Sequence, residues 1–347
     1  MKLKWAVLGS GGIAQRRTIP EGIVQANNAV LTAVYDINQD VNADVAARFD
    51  AKACTNEEEL LTSDADVIYI ATPAVDHCEQ ICRAADAGKH VFCEKPLAMT
   101  LAECDQALAH CKERDVKLGI GFMMRFHAQH QEALALIKEG RLGTLVLGRA
   151  QLSCWYPPIE GAWRQDLTTG GGGSLMDMGG HCIDLLEMFL GSAVNVQCIT
   201  GNLVHNYTVE DTAVVLLEFE SGAKAVVDCL FNVPDTASLN RLELYGSLGS
   251  ILAEGTIGQG ESGHMVARLQ SDSRDYEADQ SRDAQGGEML VRPEPVNMYR
   301  AEVEAFSQAI LDNTDIPVSG EDGRHSQVIL KACYESAVIG RRIDLIF

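Results

Sequence analysis

Basic residues are scarce in this chain of 347: Lys and Arg number 28 against 49 Asp and Glu, for a formal charge of −21 and a pI near 4.7. Nucleic acid and anionic membranes carry dense negative charge, so neither suits it as a partner, and small molecules and proteins remain. Long apolar runs are missing as well; none approaches the roughly 18 residues that a bilayer span needs. No internal repeat and no low-complexity linker interrupts a composition that is 46% hydrophobic and 22% charged, which is that of a globular protein. None of the 11 cysteines stands in a C-x-x-C pair. Several (Cys78, Cys82, Cys104, Cys111, Cys333) fall inside apolar helix-like or strand-like patterns, so buried thiols in a reducing cytosol are expected rather than disulfides. The opening MKLKWAVLG has two lysines before an apolar run, but the run breaks at glycine within five residues, so it reads as a first strand and not a secretory leader. A cytoplasmic location is the corresponding expectation.

What is present is a change of texture near residue 125. Before it, WAVLGS, AVLTAVYDI, ADVIYIAT, HVFCEK and VKLGIGF have the look of strands. Between them VNADVAARF, VDHCEQICRAADAG and LAECDQALAHCKERD place apolar residues at helical spacing. Such βαβ alternation predicts a doubly wound, mostly parallel sheet. After Phe126 a helix, HQEALALIKEGRLG, gives way to alternating segments: LVLGRAQLSCWY, AVNVQCITGNLV, DTAVVLLEFESGAKAVVDCLFN and LNRLELYGSLGSILAEG. These predict antiparallel strands joined by glycine-containing turns such as ESGAK. MYRAEVEAFSQAILDN and HSQVILKACYESAVIGRR read as helices, and the polar, poorly periodic residues 270–288 read as a solvated loop or edge hairpin, with a mobile lid as the other possibility. The expectation is an α/β chain with two domains, residues 1–124 and 125–347.

GSGGIA follows the first strand directly, with Gly9, Gly11 and Ala14 in a G-x-G-x-x-A frame and Gly12 and Ile13 inside it. Small residues there permit a tight turn and let the backbone approach a pyrophosphate, while the following helix offers free N–H groups to phosphate. The second strand ends at Asp36, 22 residues beyond Ala14. A carboxylate there can accept from the adenosine ribose hydroxyls and would repel the extra phosphate of NADP, and no arginine follows closely to offset it, so NAD is favoured over NADP. The plain alternative is an aspartate that only opens a turn.

Residues 170–186, GGGGSLMDMGGHCIDLL, carry Asp177, His181 and Asp184, which in a helix would share one face at i, i+4 and i+7. An imidazole with an ordinary pKa near 6.5 suits proton exchange at neutral pH. Asp177 can hold a hydroxyl or tune His181; Asp184 can orient the imidazole from behind or satisfy a backbone donor. The i, i+4 pair also matches zinc-binding helices, but no third ligand accompanies it, so no metal is expected. Arg125 and His130, just past the last strand of the first domain, are candidate substrate contacts.

YIATPAVDH and AGKHVFCEKPLAMT, taken with GGIAQRR, WYPPIEGAWRQD, GGGGSLMDMGGHCIDLL and YRAEVEAFSQAI, resemble the glucose-fructose oxidoreductase, inositol dehydrogenase and rhizopine catabolism proteins, the Gfo/Idh/MocA family. The resemblance covers essentially the whole chain. It implies an N-terminal Rossmann domain that binds NAD and a C-terminal substrate-binding and oligomerisation domain on a large open, mostly antiparallel sheet. It implies hydride exchange between a nicotinamide cofactor and one hydroxyl carbon of a sugar, cyclitol or related compound. By that resemblance Lys95 of Glu94-Lys95-Pro96 lies near the nicotinamide, and Asp177 and His181 complete the catalytic set. Gly9, Gly11, Gly12, Ile13, Ala14, Asp36, Thr72, Pro73, His77 and Glu94 would line the dinucleotide. Trp163, Arg164 and Tyr299 match cofactor-proximal positions of members similar to anhydrofructose reductases. That subset is usually described with NADP, whereas Asp36 points to NAD. Aromatics can pack on sugar faces, so Tyr156 joins Lys95, Arg125, Asp177 and His181 as an expected substrate contact, with core packing the alternative for Trp155 and Tyr156. Family members commonly pair through the open face of the C-terminal sheet, which implies a homodimer or homotetramer.

Three functions fit these residues: a reversible NAD-dependent dehydrogenase, a redox-neutral glycosidase that oxidises a ring hydroxyl transiently, and an NAD-sensing protein without catalysis. Net NADH formation marks the first. Aglycone release without NADH marks the second, and ligand binding without turnover the third.

Overall fold

In the run Leu3–Leu8 every residue except Lys4 is buried, as a strand covered on both faces requires. In the computed structural model, which describes residues 1–270 and 287–347, this run is β1, at the middle of a six-stranded parallel sheet. Its companions are β2 (Ala29–Tyr35), β3 (Lys52–Ala53), β4 (Val67–Ile70), β5 (His90–Cys93) and β6 (Leu118–Ile120), in the order β3-β2-β1-β4-β5-β6. That order is the doubly wound arrangement of a dinucleotide-binding domain, with the strand sequence reversing at β1 and β4.

The chain divides into two compact units. The first contains Met1–Met123, Ile159–Asp177 and Asn297–Val328. Its connecting helices begin where capping chemistry places them: the Asn38 side chain accepts from the N–H groups of Asp40 and Val41, and Thr100 and Glu103 form a reciprocal capping box before Leu101–Glu113. The helix after the glycine turn, Ala14–Ile23, is widened to the π type; Pro20 in its interior has no N–H for an ordinary helical bond. Trp5, Tyr69, Phe92 and Phe306 make a buried aromatic cluster with ring centroids 5.2–5.9 Å apart. Phe306 comes from the helix Met298–Leu311, and β6 admits it only because Gly119 has no side chain: a Cβ there would lie 2.6 Å from the Phe306 ring.

The second unit contains Met124–Pro158, Met178–Val296 and Ile329–Phe347. Nine strands form its sheet: β7 (Leu145–Ser153), β8 (Ala193–Gly201), β9 (Thr212–Phe219), β10 (Lys224–Leu230), β11 (Arg241–Gly246), β12 (Gly249–Glu254), β13 (His264–Leu269), β14 (Gly287–Leu290) and β15 (Ile343–Asp344). The order is β14-β13-β12-β11-β7-β10-β9-β8-β15, antiparallel throughout except for the parallel pair β7 and β10. The helix Gly180–Leu190 packs on one face at Gly148 of β7, where a Cβ would approach Leu186 to 2.7 Å and Leu190 to 2.9 Å. On the other face the register sets Ile199 of β8 opposite Val214 of β9, and these with Leu216 are exposed.

The expected α/β class with a parallel and a mostly antiparallel sheet is therefore what the chain adopts. All eleven cysteines are free thiols, nine of them buried, as their apolar settings implied. Residues 271–286, the bulk of the segment read as a loop or lid, lie outside the described residues. Among the described residues no helix is long and apolar enough to cross a membrane.

Candidate active site

In the first unit the turn after β1 is built from glycines, two of which, Gly9 and Gly12, have the positive φ that side chains disfavour. Gly9 has φ +83°, and a Cβ on it would lie 2.8 Å from Thr72 Cγ2 and 2.9 Å from the Ala71 carbonyl carbon. Gly12 has φ +53° with open space beyond it. The Gly11 N–H donates to Asp36 Oδ2 at 2.9 Å, while Asp36 Oδ1 accepts from the Asn38 N–H at 2.9 Å. Asp36 thus braces both its own turn and the glycine turn, so the structure joins the two parts of the nucleotide signature through one carboxylate. Ile13 and Ala14 lead into the π-type helix. A turn that needs glycine at Gly9 and Gly12 for their positive φ, followed by a helix N-terminus, fits a dinucleotide pyrophosphate. Gly9→Ala is expected to destabilise the fold by at least about 1 kcal/mol, combining a left-handed alanine with a backbone clash; a shift in the urea midpoint measures it.

Thr72 and Pro73 follow β4, with the Thr72 hydroxyl donating to Gln80 Oε1 at 2.5 Å. His77 is fully buried, its Nδ1 2.8 Å from the Pro96 carbonyl and its Nε2 3.0 Å from the Thr72 carbonyl. Burial holds its pKa below the usual histidine value, and a neutral ring donates to only one of these two oxygens. Expected to line the dinucleotide, His77 is found clamped between the Thr72 loop and the residue after Lys95.

Lys95 Nζ donates to Asp177 Oδ1 at 2.7 Å and to the Asp177 main-chain carbonyl at 2.6 Å. Arg164 Nε reaches the same Oδ1 at 3.1 Å, and its guanidinium lies 4.2 Å from the Trp163 ring centroid. The glycine run explains how this is held. A Cβ on Gly170 would sit 2.9 Å from the Trp163 carbonyl, and Gly171 at φ +75° ends the short helix Leu167–Gly170. Glycine therefore lets the chain lie against the turn that presents Arg164 and then reverse toward Asp177. Leu175–Gly179 is a π-type turn rather than the regular helix that the spacing predicts, and it runs into the α-helix Gly180–Leu190.

Behind Lys95 lies a chain of buried hydroxyls that the pattern of residues did not announce. Tyr69 donates to Glu94 Oε1 at 2.6 Å, and its oxygen is 2.9 Å from the Thr18 hydroxyl. Since the one hydroxyl proton of Tyr69 is donated to Glu94, Thr18 is the donor in the second bond. Burial pushes the Glu94 carboxyl up, against the Tyr69 bond and the charges of Lys95 and Arg164, which favour its ionised form. Tyr299, expected near the cofactor, is 2% exposed, and Gly22 of the π-type helix is closed against its carbonyl, where a Cβ would be 3.0 Å away. Only the inward parity of Tyr69 on a fully buried strand could have signalled this chain in advance.

The second unit holds the remaining expected residues. His181 is buried at the start of Gly180–Leu190. Asp184, one turn further on, is 3% exposed, and its carboxylate is forked by Arg125, whose Nε lies 3.0 and 2.9 Å from the two oxygens and Nη2 2.6 Å from Oδ1. Arg125, read as a substrate contact, is thereby engaged by Asp184, and Asp184 takes a guanidinium partner that neither of its expected roles foresaw. His130 is fully buried, donates from Nδ1 to the Met124 carbonyl at 2.8 Å, and stacks at 4.7 Å on His127. Burial lowers its pKa to about 3, so it is a neutral core histidine. Tyr156 is partly exposed, with its ring 4.9 Å from Phe231. Among the described residues no group of three or more His, Cys, Asp or Glu is arranged to hold a metal.

A doubly wound sheet with a glycine turn at its switch point is the arrangement of a dinucleotide-binding domain, and the same unit holds the lysine clamped on a carboxylate. Residues 3–122 match the oxidoreductase family with an NAD-binding Rossmann fold, and residues 130–252 match the GFO/IDH/MocA C-terminal domain. The chain belongs to the Gfo/Idh/MocA family. It is 28% identical to the 1,5-anhydro-D-fructose reductase of Ensifer adhaerens, over 99% of this chain and 98% of that one. It is also 28% identical to D-xylose 1-dehydrogenase (NADP(+)) 2 of Haloferax volcanii, over 99% and 100%. The crystal structure of the aldose-aldose oxidoreductase from Caulobacter crescentus complexed with glycerol superposes with a TM-score of 0.86 at 27% identity, covering 99% of this chain and all of the other.

Proposed function

We propose that this oxidoreductase uses NAD to move a hydride between the nicotinamide and a secondary hydroxyl of a sugar, cyclitol or sugar acid, with Lys95 and His181 as its acid/base groups. The observation that carries the reading is the Lys95 to Asp177 clamp in the same unit as a glycine turn that fits a dinucleotide. When bound, the nicotinamide supplies the hydride acceptor. An ammonium has three N–H donors; Asp177 takes two, and the third can bond the reacting oxygen and stabilise the negative charge that develops on it. Asp177, held by Arg164 as well, keeps that donor aimed. His181 is the proton acceptor, since imidazole exchanges protons near neutral pH. Tyr156 and Arg125 are assigned to the substrate side, Arg125 through its hold on Asp184.

Cofactor binding is assigned to residues 1–124, and substrate binding and pairing to 125–347. A second copy of this chain is the proposed occupant of the open sheet face bearing Ile199, Val214 and Leu216, which are 71%, 41% and 50% exposed. The cytosol suits eleven free thiols.

A panel of sugars, cyclitols and sugar acids, each with NAD+ or NADP+, tests the function by absorbance at 340 nm and product mass. NADH formation with loss of two hydrogens from one polyol is expected; aglycone release without NADH would establish the redox-neutral glycosidase instead. In the same assay Asp36→Ala is expected to narrow the preference for NAD+ over NADP+, because the carboxylate that repels the extra phosphate is gone. An unchanged ratio refutes the ribose assignment.

A further inference from the structure

The hydroxyl chain behind Lys95 has a direction. Thr18 and Tyr69 are fully buried, so neither hydroxyl has bulk water to satisfy it. Thr18 on the π-type helix donates to Tyr69 at 2.9 Å, and Tyr69 on β4 donates to Glu94 Oε1 at 2.6 Å. Both protons point the same way, and the chain ends on an acceptor. Donation in this sense favours an ionised carboxylate, because a charged acceptor makes the stronger bond. Main chain confines the same carboxylate: a Cβ on Gly121 would lie 3.3 Å from Glu94 Oε2 and 3.4 Å from Cδ and Oε1. Glu94 is thus held in one orientation by groups from four different elements of the first unit.

The charges nearby give that orientation a use. Glu94 and Lys95 follow β5 at the carboxyl ends of the parallel strands, where a doubly wound sheet takes its ligand. In the clamp, Lys95 and Arg164 bring two positive charges and Asp177 one negative, so one positive charge is left over until Glu94 is counted. Burial pushes the Glu94 carboxyl up, and the Tyr69 bond, then the charges of Lys95 and Arg164, oppose that. Titratable groups that feel its charge are Tyr69 itself, Cys93 and, on Met298–Leu311, Tyr299 and Glu302, each pushed up by burial toward its neutral form.

We propose that Tyr69 is a positioning residue of the cofactor site: backed by Thr18, it holds Glu94 as an oriented carboxylate that cancels the excess positive charge of the Lys95 clamp, which lets the site accept an oxidised, cationic nicotinamide as well as a reduced, neutral one. The inference rests on the assignment of NAD as cofactor. Without the Tyr69 proton, Glu94 takes up a proton more easily. The site is then left positive, which opposes NAD+ and leaves NADH nearly unaffected.

Tyr69→Phe removes one oxygen and keeps the ring, which lies 5.9 Å from that of Phe92. Titrations of parent and variant with NAD+ and with NADH, from about pH 5 to 9, read the charge of the site. In the parent, NAD+ binding weakens as pH falls through the titration of Glu94. In Tyr69→Phe the same step is expected about one pH unit higher, so that between the two midpoints NAD+ binds up to about tenfold more weakly while NADH changes little. Thr18→Val leaves the bond from Tyr69 to Glu94 in place and is expected to move the step in the same direction by less. It also carries the test if Tyr69→Phe does not fold. Tyr69→Phe leaves the buried Thr18 hydroxyl without Tyr69, so the double variant Thr18→Val, Tyr69→Phe is expected to regain stability in urea while its NAD+ step stays displaced. A step at the same pH in parent and Tyr69→Phe overturns the proposal. So does an equal loss of NAD+ and NADH affinity that the double variant restores, since that marks a purely structural role. If the parent binds neither nucleotide at any pH, the assignment of NAD itself falls and takes this inference with it.

Discussion

Lys95→Ala and His181→Ala each lower turnover by about 100-fold to 10,000-fold, the range expected for loss of a positioned acid/base group, while NAD+ binding changes little. Single-turnover NADH formation and a parallel NAD+ titration check the two halves of this expectation. The lysine variant has a particular geometry behind it. Asp177 Oδ1 accepts from both Lys95 Nζ and Arg164 Nε, so removing the lysine leaves the carboxylate paired with the guanidinium and the backbone undisturbed. The loss should therefore appear in kcat and not in folding. Lys95→Arg is not a rescue, because a planar fork cannot reproduce one ammonium that donates to both the carboxylate and the carbonyl of one residue. Lys95 and Arg164 share one acceptor, so a double variant should depart from additivity. A near-normal rate in the His181 variant would remove it from the chemistry and leave Lys95 as the base.

Lys95 was named by resemblance to the family, whereas the glycine turn after the first strand was legible from local chemistry. Gly9 needs a positive φ, and a helix must follow it, so the signature can be read from spacing alone. Parallel strands buried on both faces announce themselves as short continuous apolar runs, as in Val67–Ile70. Packing partners are less accessible. An amphipathic pattern shows that Met298–Leu311 buries one face, but not that Phe306 enters the aromatic cluster of Trp5 and Phe92. The same holds for 159–177, which is tied to the rest of the first unit by contacts such as the Lys95 ammonium on the Asp177 carbonyl. Polar partners were the hardest to foresee. Asp184 has the spacing to serve His181, yet a guanidinium 59 positions away in sequence forks its carboxylate, and nothing local encodes that pairing. In the stripe of Met298–Leu311 the signal was present but unread: a glutamate at an apolar position is itself an anomaly.

Arg125→Met is expected to destabilise the protein by about 3–5 kcal/mol, among the largest effects a single side chain here can have, because it takes from the buried Asp184 carboxylate the guanidinium that forks it. Asp184 is 3% exposed, and both of its oxygens accept from Arg125. The magnitude measures the cost of taking one partner from a buried charge and not the net value of the pair, so the double variant Arg125→Met, Asp184→Leu should recover most of the loss. Arg125→Lys should fall between, since an ammonium keeps the charge but cannot fork. Urea unfolding of the parent, Arg125→Met, Asp184→Leu and the double variant gives the coupling energy directly. If Arg125→Met costs less than about 1 kcal/mol, the pair is not the anchor its burial implies. The helix Gly180–Leu190 carries His181 one turn before Asp184, so a loosened helix should also slow turnover. Restoring stability with the double variant then separates two cases. If the rate returns with stability, the ion pair serves only to hold the helix. If it stays low, Arg125 and Asp184 hold His181 in a geometry that apolar packing cannot reproduce.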